Sequence, residues 1–190
     1  MLRIVNIEEI QSMLNSVSGL VDAQQRHDST FDEKVKMWLA KLEKILENNK
    51  IMFAGEIATL RATILAAENG IIPPGMEMYG RTGKRKIVEA AATLSLRNAS
   101  HLVTDYLRKE VDRVADAERM MRQIISMAKA KGLITAIPNG SDHTEMLKSI
   151  WLTLTADPEL APGTINVEGL VGPHDALIVL NRIMASDLRV

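Results

Sequence analysis

Four cations crowd one short stretch of the chain. Arg81, Lys84, Arg85 and Lys86 lie within IIPPGMEMYGRTGKRK, residues 71–86. The loop runs straight into a long helical pattern, so these side chains fall just before or inside a first helical turn. Positive charge there opposes the helix macrodipole, whose N-terminus prefers anions. An anion at the site relieves the conflict, because backbone N–H groups and basic side chains then converge on it. A phosphate of RNA, DNA, a nucleotide or a lipid meets that requirement, as does an acidic segment of a neighbouring subunit. A solvated basic loop is the plain alternative. The run from Gly80 to Lys84 approaches a phosphate-binding loop, but that motif needs Gly at 78 and Ser or Thr at 85. The chain has Met78 and Arg85 there. Met76, Met78 and Tyr79 give the same loop an apolar tip suited to adaptable protein contact.

The histidines offer less. Arg97, His101 and Asp105 follow one another at steps of four, with Asn98 beside them. An Arg, a polar residue and then a His resembles the HEPN ribonucleases, helical proteins with an Arg-x4-6-His motif. Arg97 and His101 enclose three residues, one short of that spacing. The resemblance implies a His general base with an Arg steadying a phosphate during RNA cleavage. Helix-spaced charges on a solvent face account for the same residues. His143 and His174 each open a helical segment beside an acid, Asp142 and Asp175. Facing one another they would make a metal or acid–base pair, although helix capping explains the acids by itself. His27 sits in a polar linker. No catalytic residue, metal site or cofactor is expected.

Composition narrows the classes. The chain has 190 residues, 46% hydrophobic but only 3% aromatic, with 11 methionines and a net charge of −1. A core of Leu, Met and Ala among Glu and Lys is helical in character. The lack of cysteine excludes disulfides, thiolate nucleophiles and Cys-ligated zinc. No signal peptide and no membrane span are apparent, so a soluble cytoplasmic protein is the default expectation.

The elements that position these residues are long. Residues 86–131 contain neither proline nor glycine, and Gly132 closes them; an unbroken helix there would run roughly 70 Å. Its apolar seam passes through Val88, Ala92, Leu96, Ala99, Val103 and Tyr106, then Leu107, Val111, Val114, Met121, Ile125 and Ala128. So narrow a stripe needs an equally long partner surface. Residues 31–69, opened by a Thr30/Glu33 capping box and closed by Asn69-Gly70, give a second arm of ~58 Å. A kink or break is expected at Asn48-Asn49 or Gly55, and Asn49 either fixes register or marks the interruption. An N-terminal helix capped by Asn6 packs alongside. Beyond Gly132 the spacing predicts a short β-like run over 133–137, a helix to Asp157, a strand over Thr164–Val171, and a buried helix opening at Pro173. Residues 133–190 carry a net charge of −4 and the remainder +3.

The expected fold is mainly α: a long antiparallel helical hairpin with an N-terminal helix over residues 1–132, plus a small C-terminal α/β unit over 133–190. The leading functional expectation is a self-associating, coiled-coil-like scaffold protein, a homo-oligomer acting through protein–protein contacts. The second is RNA, DNA or other phosphate-ligand binding through Arg81, Lys84, Arg85 and Lys86. A HEPN-like ribonuclease comes third.

Overall fold

The computed structural model describes residues 1–73, 83–134 and 143–187. Among these the chain forms eight helices and no strand: α1 Ile4–Asn15, α2 Val17–Gln25, α3 Phe31–Asn48, α4 Ala54–Glu68, α5 Lys84–Ala130, α6 His143–Ala156, α7 Ala161–Val171 and α8 Pro173–Asp187. The protein is mainly α, as expected. No helix is long and apolar enough to cross a membrane among the described residues.

The expected C-terminal α/β unit does not form, because Thr164–Val171 belongs to α7. Leu160, Thr164, Val167 and Val171 are buried while Ile165 is 66% exposed. Those steps of four, three and four are the helical period, and it prevails over the local alternation. Pro162 in the first turn suits a helix start. Of the other expected strand, Leu133 and Ile134 are not extended, and 135–137 lie outside the described residues.

The chain divides into two compact units, Val5–Arg108 and Met1–Ile4 with Lys109–Val190. The dividing point falls inside α5, whereas the sequence suggests Gly132.

In the Val5–Arg108 unit the helical arms alternate in direction. α3 packs along α4, with Lys36 paired to Glu68 and Glu43 to Arg61, so the start of one helix meets the end of the other. Trp38 donates its indole N–H to the Met13 carbonyl at 3.0 Å, and the Asn6 amide donates to Asn49; α1 is therefore antiparallel to α3. Ser95 Oγ donates to the Leu60 carbonyl at 3.0 Å. Phe53 meets Tyr106 edge-on with centroids 5.3 Å apart, which sets α4 antiparallel to α5. The result is an up-and-down bundle, with α1 and α2 together forming one arm. Asn6 lies inside α1 instead of capping it. Thr30 makes no capping box either: its hydroxyl donates to Asp28 Oδ1 at 2.8 Å.

The expected long arm over residues 31–69 is corrected at the place where a break was expected. The chain reverses there, and α3 and α4 become a hairpin of their own. Lys50 adopts a φ of 55°. Its N–H donates to the Glu47 carbonyl at 2.9 Å and the Ile51 N–H to the Leu46 carbonyl at 2.9 Å. This is the left-handed closure usually given to glycine, and Ile51 is buried behind it. Asn49 donates to the Ile45 carbonyl at 2.8 Å and ends the helix, so it fixes no long seam.

α5 has the expected extent, and its seam is covered by this chain. Val88, Ala92, Leu96, Ala99, Val103 and Leu107 are buried, as are Val114, Met121, Ile125 and Ala128. The demand for an external partner of equal length is thereby removed. α8 is likewise buried through Ala176, Val179, Leu180, Ile183 and Met184.

In the other unit α6, α7 and α8 pack on one another. Arg113 of α5 donates to the carbonyls of Leu2, at 2.8 Å, and Leu170. Lys131 pairs with Asp157 at 2.9 Å, tying the end of α5 to the α6–α7 turn.

Candidate nucleic-acid interface

The expected cationic cluster is split. Arg81 lies outside the described residues, and Lys84, Arg85 and Lys86 form the first turn of α5, which contains no acid. Lys84 and Arg85 line a cavity of about 520 Å³ that also holds Asp28, Asp32, Glu68 and Glu89. Carboxylates outnumber cations among these lining residues.

Lys86 instead lines a groove of about 540 Å³ between α2 and α5, with Gln24, His27, Thr93 and Arg97. Lys86, Ala90, Thr93 and Arg97 follow each other at steps of four, three and four, one stripe of a helix. Glu89 is the one carboxylate among the lining residues, against two fixed cations. Across the groove, the Gln24 amide donates to Thr93 Oγ at 2.7 Å, and Thr93 donates onward to the Glu89 carbonyl at 2.9 Å.

His27 is placed by backbone geometry. It has a φ of 53° and closes α2: its N–H donates to the Gln24 carbonyl at 2.9 Å, and the Asp28 N–H to the Ala23 carbonyl at 3.0 Å. Histidine is among the few non-glycine residues enriched in that conformation. Asp28 then anchors the turn, receiving Lys34 Nζ at 2.6 Å and the Thr30 N–H at 2.9 Å. These bonds, Lys34's foremost, hold the Asp28 carboxyl far below the usual carboxylate range.

Carboxylate oxygens of Asp32, Glu33 and Glu68 lie within 4.8 Å of one another, the spacing of a cation site. Lys36 supplies the positive charge itself, pairing with both Glu33 and Glu68. Burial works to lower the Lys36 pKa, but the hydrogen bonds to the two glutamates outweigh it and the net shift is upward. The ammonium thus already brings one positive charge to two of these three carboxylates.

His101 lines a third cavity of about 520 Å³ with Glu56, Asn98 and Asp105. Arg97 lines the α2–α5 groove and His101 this cavity. His143 and His174 are not paired. His143 Nε2 lies 2.7 Å from Asn181 Oδ1, two turns along α8 from His174.

The groove gathers residues that the sequence left apart. Arg97 was readable only as a companion to His101, and His27 only as linker. The stripe from Lys86 to Arg97 was the available signal; the approach of α2 was not. No family model, curated protein or solved structure matches the chain.

Proposed function

We propose that this chain is a non-enzymatic binding protein that holds the phosphate backbone of a nucleic acid along α5, in a cytoplasmic setting. The observation that carries the reading is the convergence of Lys86, Arg97 and His27 on one groove whose lining holds a single carboxylate, Glu89. Phosphate contacts of this type supply affinity without base identity, and each releases counterions. Affinity for nucleic acid should therefore fall linearly on a log–log plot against salt. The test is fluorescence anisotropy with labelled RNA and DNA over a salt series. Lys86→Ala with Arg97→Ala should weaken binding and flatten the slope; an unchanged slope overturns the reading.

Self-association is a second reading, now favoured by a different observation. Leu152 on α6 and Ile165 on α7 are 67% and 66% exposed, in the unit where those helices pack together. Large exposed apolar side chains mark contact surfaces when they form a contiguous patch, and this reading takes Leu152 and Ile165 to belong to one. Light scattering on the wild type and on Leu152→Ser/Ile165→Ser tests it: a monomer in both cases rejects self-association through this face.

A further inference from the structure

We propose that the α2–α5 groove accepts a single strand and not a duplex, with phosphates at Lys86 and Arg97 and a base against His27; this rests on the phosphate-binding reading above. Lys86 and Arg97 stand eleven residues apart on one helix, roughly 16 Å along its axis. The space between them is a recess of about 540 Å³ lined by polar and apolar groups. That size suits a drug-sized ligand and is far too small to admit a duplex, whose bases are stacked and paired inward. A single strand can turn a base into such a recess while its phosphates stay on the rim.

The chemistry of the wall matches that use. His27 is the one aromatic ring among the lining residues, and it sits exposed in the left-handed closure of α2. Unstacked bases are held on such rings, histidine included. Gln24 is half-buried and fixed by one hydrogen bond to Thr93 at 2.7 Å. A carboxamide presents both a donor and an acceptor, the pair that reads a base edge. Leu94 and Ala90 complete the wall and offer apolar contact to the face of a base or sugar. Cations at the ends, a ring and an amide between them, make a site for one strand.

The experiment compares a short mixed-sequence oligoribonucleotide, the oligodeoxyribonucleotide of the same sequence, and the duplexes of each, in anisotropy with the full chain. Both single strands, or the ribo strand alone, should bind at least tenfold more tightly than either duplex. His27→Asn keeps a residue that tolerates the left-handed backbone but removes the ring. It should weaken single-strand binding about tenfold, the size of one lost stacking contact, with the salt slope unchanged. Lys86→Ala should lower that slope by about 0.7. Equal, salt-sensitive binding of strand and duplex overturns this inference while leaving the phosphate reading intact. Absence of salt-sensitive binding to any of the probes overturns both. An unaffected His27→Asn variant with wild-type helical circular dichroism removes the stacking role.

Discussion

The backbone N–H of Ile4 donates to Asp175 Oδ2 at 2.7 Å, a carboxylate only 2% exposed at the opening of α8. Arg3 Nε lies 3.5 Å from the other oxygen, which has no hydrogen-bond partner among the described residues. Together with the Arg113 bond to Leu2, this fixes a segment of the kind that usually frays. Asp175→Ala leaves a buried donor unpaired and should cost about 2–3 kcal/mol in urea unfolding. Asp175→Asn retains an acceptor and should cost less. Equal stability of all three proteins would remove the anchoring role.

The reversal at Lys50 makes a second expectation specific. A non-glycine residue in the left-handed region costs roughly 1–2 kcal/mol, whereas glycine adopts it freely but loses more chain entropy on folding. The balance favours Lys50→Gly by up to about 1 kcal/mol, seen as a raised melting temperature. Lys50→Val, β-branched at φ 55°, should melt lower than wild type.

Acid should weaken the fold through identifiable carboxylates. Asp28 is held low by Lys34 and Thr30. Asp157 is lowered first by the Lys131 hydrogen bond, with the Glu159 and Leu160 N–H groups adding to it. A depressed folded pKa means stabilisation that is complete above the unfolded value of about 3.9 and is lost as pH falls below it. Melting temperature should therefore drop from pH 5 toward pH 2 less steeply in Asp28→Asn and Asp157→Asn than in wild type. Identical profiles would show that these contacts do not contribute.

The split cluster predicts unequal roles for neighbouring lysines and arginines. Lys84→Ala and Arg85→Ala, beside four carboxylates, should change nucleic-acid affinity by less than about threefold, the scale of a weak surface charge. Lys86→Ala and Arg97→Ala should change it more, in the same titration. A larger effect from Lys84 or Arg85 would move the interface to the other side of α5.

Much of the helical outline was legible. Gly70 and Gly132 announced where α4 and α5 end, and both close their helices with a positive φ. The α5 seam was readable because nearly every step of four or three held an apolar residue. What the sequence hid were closures without glycine. His27 and Lys50 make the same pair of carbonyl bonds as Gly70 and Gly132, yet neither residue advertises a left-handed turn. The α3–α4 reversal was consequently readable as no more than a break. α7 was obscured differently, since Ile165 and Val167 suggest alternation until Leu160 upstream sets the helical phase. The groove needed α2 to be placed against α5, which only tertiary packing does.

The two tryptophans of the chain fall one to each compact unit. Trp38 is buried with its N–H on Met13, and Trp151 is buried with its N–H 3.3 Å from Glu168. Each indole is therefore a private fluorophore for its own half of the protein. With Trp151→Phe or Trp38→Phe, the emission that remains reports one half alone, and overlaying the two denaturation curves tells whether the halves come apart in one event or in succession.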